Sequence, residues 1–493
     1  MPAFRVSLGA ALLAALALST AAHAADPTFS NYYPPTGVAT DAGEPSIGYN
    51  PKSGATLFQS FVSTLKVTGF DGLGHSTWTD VTEPTAITSL DPILWTDRDT
   101  GRTISSQLLL ACSKAAITDT DGASWLPSEG CGVGTGIDHQ TIGGGPFAGV
   151  LKGGTPLYPN AVYYCTQDGA VAAHCAMSAD GGFTFGPERE IYTFNQCPLL
   201  LHGHLKVGPD GTAYVPTADC DGHAAMAEST DNGTTWSVDE VPASTSPDQS
   251  DPSLGIGNKG SLYLGWQGAD GQDLGNPGNA YFSDAHSESR AWISVKAAGS
   301  STWRAPVDVG ASLGIKNTEF PEVFAGDDNR VAYAFLGTTT TGDEESASFK
   351  GAWHLYVAYS YDGGLNWKTV DATPTDPVQR GCIWLQGGSS ACRNLLDFND
   401  ITIDNNGRVM VAYADGCTGS CVTADPATYD YSAGRPQQGV IARQESGLGL
   451  YAAKDPVLAL AAPVAARQAS LHVNAPPATR VGDDGDARQH HGG

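Results

Sequence analysis

Two short stretches concentrate groups able to move protons or hold a cation. They are Asp138-His139 in GIDHQTIGGG and His202-Gly203-His204 in LHGHLKVGPDG. His202 and His204 stand two apart and share a face if that segment is extended. Any of these histidines could act as a general acid or base near neutral pH. Acids open comparable stretches elsewhere: Glu44 in GEPSIGYN, Asp91 in LDPILW, Asp251 in SDPSLGIGNKG, Glu319 and Glu322 around FPEVFAGDDN, and Asp400 in FNDITIDNNG.

Three chemistries are open to such a set. Glycoside hydrolysis needs one carboxylic acid to protonate the leaving oxygen and a second carboxylate to activate water or attack. Asp91, Asp138, Asp251 and Glu322 are the candidates. Elimination beside a uronate needs a base, His139 or His204, and a cation such as Arg380 or a metal against the sugar carboxylate. A divalent cation is the third use: calcium or magnesium would suit the carboxylates, and zinc the histidines. Against all three stands the plainer reading that each acid caps its own strand. Glu44, Arg380, Trp266, Trp384 and Asp400 are the expected substrate contacts. Trp95 is a further aromatic platform, although a core position is the plainer reading for each tryptophan.

These residues are far apart in the chain, so an architecture must gather them. The seven stretches share a form: an acid or histidine just before a short strand that usually runs into a Gly- or Asn-rich turn. A second repeat interleaves with them, SADGGFTF (178–185), STDNGTTW (229–236) and SYDGGLNW (360–367), with a weaker copy in TDTDGASW (118–125). Its Asp can accept bonds from backbone N–H groups of its own turn, its Gly takes a backbone angle other residues resist, and its aromatic packs beneath. Short alternating runs such as AVYYC, TAYVP, VAYAF and VMVAY supply strands. A repeat of roughly 40–50 residues and about four strands is the signature of a β-propeller. The expected fold is therefore all-β, a propeller of seven blades with six as the alternative. The innermost strand of each blade lines the central channel, so the acids and histidines that open those strands should converge at one mouth.

The remaining organisation follows from composition. Residues 1–24 read as a secretory signal peptide, with Arg5, an apolar run and Ala22-His23-Ala24. Residues 25–39 are a lead-in, 40–453 the propeller and 454–493 a low-complexity tail. No later stretch is apolar for the ~20 residues a membrane span needs. The 10 cysteines lie close in pairs, Cys112/Cys131, Cys165/Cys175, Cys197/Cys220, Cys382/Cys392 and Cys417/Cys421, which suits short-range disulfides in an oxidising compartment. With 52 acids against 26 Lys plus Arg, the net charge is −26, which argues against nucleic acid and anionic membranes. An extracellular polysaccharide or glycoconjugate is the expected partner, and the chain is expected to be a monomer.

The three boxes resemble the Asp-box, or BNR repeat, of sialidase-like propellers. The resemblance implies the fold more than an activity, because the box also occurs in lyases, sorting receptors and assembly factors. True sialidases carry an early Arg-Ile-Pro segment and three arginines for the substrate carboxylate. This chain has no Arg-Ile-Pro, and its arginines (Arg98, Arg102, Arg189, Arg304, Arg330, Arg380 and Arg393) lie outside that context. The expectation is a relative acting on another glycan, a secreted glycoside hydrolase, with a uronate-cleaving lyase and a non-catalytic glycan- or protein-binding propeller as the alternatives.

Overall fold

A computed structural model describes residues 25–86, 91–109, 112–128, 138–151, 156–168, 171–198, 201–244, 250–269, 288–385, 389–425 and 435–455. These residues form seven sheets, each an antiparallel meander of four strands, with Gln379–Arg380 added to one of them. The innermost strands of blades 1 to 7 are Ser46–Tyr49, Pro92–Thr96, Asp138–Pro146, Lys206–Val207, Ser253–Ile256, Asn317–Ala325 and Asp400–Ile403. Each packs against the next, and the seventh packs against the first, so the ring is closed. All seven stretches picked from sequence contribute these inner strands.

Closure joins the two ends of the chain. Blade 7 takes three strands from Asp400–Ile403, Val409–Asp415 and Gln438–Gln444, and its outer strand is Phe29–Tyr32. Phe29 pairs with Gln444 and Tyr32 with Ile441. The segment expected as a lead-in thus carries a strand of the ring, and breaking the circle requires stripping a β-ladder. Apolar residues fill the gaps between neighbouring blades. One cluster joins Trp266 and Leu254 of blade 5 to Met226 and Tyr214 of blade 4; another joins Trp353 and Val357 of blade 6 to Val411 and Tyr413 of blade 7. Disulfides link Cys165–Cys175, Cys197–Cys220, Cys382–Cys392 and Cys417–Cys421. The fifth expected pair, with Cys131, lies outside the described residues, as do residues 1–24 and 456–493. No helix among the described residues is long and apolar enough to cross a membrane.

The meander fixes which turns share a face. Inner strands start on one face; the turns between first and second and between third and fourth strands lie on the other. The three boxes are third-to-fourth turns, so they sit on the face opposite the inner-strand starts. Their bonding is the same in each. Ser178, Ser229 and Ser360 donate to Asp180, Asp231 and Asp362 at 2.7, 2.9 and 2.9 Å. The same hydroxyls accept the N–H of Gly182, Gly233 and Gly364. Each Asp Oδ1 accepts two further backbone N–H groups, for Asp231 those of Thr234 and Thr235 at 3.1 and 2.9 Å. Its Oδ2 accepts one side chain, from Thr184, Thr235 or Asn366. The box glycines have φ of 92°, 76° and 81°, and a Cβ there would strike or crowd Ile104, Tyr163 or Val295 of the preceding blade. The glycine is needed both for its backbone angle and for docking one blade on the next. The weaker copy keeps the plan with Thr120, whose hydroxyl accepts only the Ser124 N–H from the backbone, at 2.9 Å.

Candidate functional site

The strand starts build two tiers on the channel axis. In the lower tier, a side-chain oxygen at or near the start of an inner strand often accepts a backbone N–H of the next blade. Thr141 takes that of Leu205 at 3.0 Å, Ser253 that of Val323 at 2.9 Å, and Asp400 that of Ile47 at 2.8 Å. This is why polar residues recur there: short inner strands leave N–H groups that the neighbouring blade must satisfy. His204 and Glu322 occupy the same tier. His204 Nδ1 stands 3.7 Å from both Glu322 Oε1 and Asp400 Oδ1, and all three side chains are buried.

The upper tier comes just before the lower one along the chain and holds Glu44, His139, His202 and Asp251. His139 Nδ1 is 3.2 Å from Asp251 Oδ2, and its backbone N–H donates to Asp91 Oδ2 at 2.9 Å. The His139 and His202 rings meet edge to face, 6.3 Å apart. Glu44 and His139 adopt φ of 56° and 49°, a left-handed conformation that non-glycine residues avoid and that is over-represented at working sites. A pocket of about 10 Å³ lies among Glu44, Asp91, His139, His202, His204 and Asp251, room for about one water molecule. Glu44 Oε2, His202 Nε2 and Asp251 Oδ1 are buried without a hydrogen-bond partner. Such orphans are rare in folded proteins and ask for a water, an ion or a ligand.

Burial dominates the electrostatics of the mouth. It raises the Asp91 carboxyl to about 7, aided by Asp138 beside it. Burial, with Asp397 and Asp91 nearby, lifts Glu44 well above the usual carboxylate range. Burial also lifts Glu322 to about 7, although His204 opposes the shift. For His139, burial favours the neutral ring, but Asp251 and Asp138 outweigh it and push the imidazole well upward. His202 goes the other way, to about 3, because it is buried and His139 adds like charge.

Sequence reasoning missed two members of the site. Asp397 lines the small pocket and is held by Arg393 through a two-pronged ion pair of 2.5 and 2.7 Å. Their four-residue spacing in RNLLDFND was visible, but nothing local shows that this connector folds over the axis. Trp266, Arg380 and Trp384 lie elsewhere. Trp266 is fully buried between blades 4 and 5 and presents no face to a sugar. Arg380 donates to the Cys421 and Val422 carbonyls at 2.9 and 3.0 Å, away from the tiers. Trp384 packs against the core of blades 6 and 7. Glu319 is buried and accepts from Ser250 at 2.6 Å. Asp138 sits at the mouth, part-exposed, with Gln167 Nε2 at 3.4 Å.

Beyond the tiers the channel widens to a cavity of about 280 Å³ lined by all seven inner strands. Its wall includes Trp95, Tyr49 and Phe324, with Arg98 stacked over the last two. His204 and Asp400 reach this cavity too, so the lower tier forms the partition between it and the small pocket.

No protein-family model matches the chain, and no curated protein matches its sequence. Its fold is similar to that of solved propellers. A mutant of the Aleuria aurantia lectin, in complex with alpha-methyl-L-fucoside, is 11% identical over 71% of this chain and 99% of its own, with a TM-score of 0.40. A GH74 enzyme from Niastella koreensis is 16% identical over 79% of this chain and 53% of its own, with a TM-score of 0.45. The GH74 xyloglucanase from Xanthomonas campestris is 11% identical over 78% and 53%, with a TM-score of 0.44. The likeness is one of fold.

Proposed function

We propose that this chain is a secreted carbohydrate-active enzyme that hydrolyses glycosidic bonds at the channel mouth. One observation carries the reading. A single water-sized pocket joins a carboxyl raised to about 7, Asp91, to a buried carboxylate oxygen without a partner, Asp251 Oδ1. Burial raises Asp251 as well, but His139 against its other oxygen opposes that shift, and a proton-bearing carboxyl beside a carboxylate is the pair that acid–base cleavage requires. Asp91 would give its proton to the departing sugar oxygen. Asp251, with its other oxygen against His139, would take a proton from a water in the pocket. Asp91, Asp138 and His139 are part-exposed, so a glycan could meet them from the mouth. The leader-like N-terminus and the four disulfides among the described residues support export.

Elimination beside a uronate is the second reading. His202 favours it, a neutral imidazole with an unpartnered Nε2. With Arg380 away from the mouth, Arg393 is the cation beside the pocket. Product chemistry separates the two. Incubation with neutral and uronate-containing glycans should release reducing ends without unsaturated-uronate absorbance. That absorbance would replace hydrolysis by elimination, and no product across the panel would leave a binding propeller.

A further inference from the structure

The lower tier points to a site that glycan cleavage does not use. His204 comes from blade 4, Glu322 from blade 6 and Asp400 from blade 7, and one ligand atom from each lies within 4.8 Å of the others. His204 is 7% exposed. Its Nδ1 lies 3.7 Å from both carboxylate oxygens, beyond hydrogen-bond reach. An imidazole this buried is normally hydrogen-bonded; this one is aimed at two carboxylates yet bonded to neither. Ligands about 2.0–2.2 Å from a shared ion stand roughly 3–3.6 Å apart; the two His204 distances of 3.7 Å are close to that, and all three ligand atoms lie within 4.8 Å.

The carboxylates are also oriented from behind. Glu322 Oε2 accepts from Ser253 at 3.0 Å, leaving Oε1 facing His204. Asp400 accepts from Ile47 N–H through Oδ2 and from Ile401 N–H through Oδ1, both at 2.8 Å. Outer partners of this kind fix ligands in metal centres. From this geometry we infer that His204, Glu322 and Asp400 bind one divalent transition-metal cation, of the zinc or manganese type, on the propeller axis. One nitrogen with two oxygens fits those ions better than calcium, which takes six to eight oxygens. His204 and Asp400 border the wider channel cavity, so remaining coordination positions are open to water there. The ion would tie three blades together at their shared axis. It does not depend on the hydrolase reading, since it would bind whether or not the mouth does chemistry.

The test uses the full chain, stripped with EDTA and titrated calorimetrically with Zn²⁺, Mn²⁺ and Ca²⁺. The expected result is one equivalent of Zn²⁺ or Mn²⁺ per chain, a raised Tm, and Ca²⁺ binding at least tenfold weaker. Glu322→Gln keeps an oxygen for Ser253, and it and His204→Gln should each weaken binding by tenfold or more. Asp231→Asn, on the opposite face, should leave binding unchanged. Anomalous diffraction from Zn²⁺-soaked wild-type crystals decides the matter even if the variants do not fold. A peak among the three side chains supports the site. No peak there, no stoichiometric binding, or Ca²⁺ binding as tight as Zn²⁺ would overturn it.

Discussion

The two faces of this propeller use the same functional group in opposite ways. On the box face, Asp180, Asp231 and Asp362 sit in turns that supply every bond they need. Burial alone would raise their carboxyls, yet hydrogen bonds from their own turn residues, above all Thr184, Thr235 and Asn366, outweigh it and lower them. At the channel mouth, part-buried Asp91 and buried Glu44 lie beside other acids and are pushed up. An acid that is satisfied locally stabilises its turn and is chemically quiet. An acid that is buried and short of partners costs stability, and its proton becomes available for chemistry.

The largest expected effect is at the mouth. Asp91→Asn should lower kcat by on the order of 10²–10⁴, the contribution of a general acid, with Tm nearly unchanged. In the wild type, activity should fall as pH rises through about 7, because the protonated form of Asp91 is then lost. A kcat profile flat across neutrality would remove Asp91 from that role.

Stability comes next. His139→Ala leaves Asp251 buried without its ion-pair partner, and should cost about 3–5 kcal/mol. Asp251→Asn leaves the His139 ring, which can shed its proton and keeps Asp138 nearby, and should cost less. Losses below about 1 kcal/mol in both variants, read from denaturant titrations, would show that the pair is not a buried ion pair.

The boxes should respond more mildly. Asp231→Ala deprives two backbone N–H groups of their acceptor and should cost on the order of 1–2 kcal/mol, with turnover per folded molecule unchanged. The pH response should also differ in sign between the faces. The box carboxyls have lowered folded pKa values, so their stabilisation is present above the unfolded value of about 4 and is lost as pH falls through the folded one. Asp91 has a raised folded value, so its contribution favours folding below about 4 and is lost as pH rises from there to about 7. The smallest effect is a gain: Thr120→Asp restores the missing acceptor in the weak box and should add about 0.5–1 kcal/mol. A loss there would mean that the turn cannot accommodate the carboxylate.

How far each region can be read from the chain follows from the same contrast. The boxes are written in eight consecutive residues, because their bonds close within one turn. The inner strands are legible because each repeats a local form, which in turn makes the convergence of Glu44, His139, His202, His204, Asp251, Glu322 and Asp400 foreseeable. Trp266 sits on an alternating strand like the others, and only the neighbouring blade decides that its ring is covered. Arg380 and Arg393 look alike in sequence, yet the connector after blade 6 carries one to the Cys421 loop and the other to the axis. Asp397 was invisible for the same reason. Partnership across blades is set by the ring, and no local pattern encodes it.

The most direct test of this division is to compare initial rates for wild type, Asp91→Asn and Asp231→Asn on one glycan that the wild type cleaves, with each protein verified as folded. The expected result is loss of turnover in Asp91→Asn and wild-type turnover in Asp231→Asn. Turnover that survives in Asp91→Asn, or is lost in a folded Asp231→Asn, would contradict the assignment of chemistry to the channel mouth.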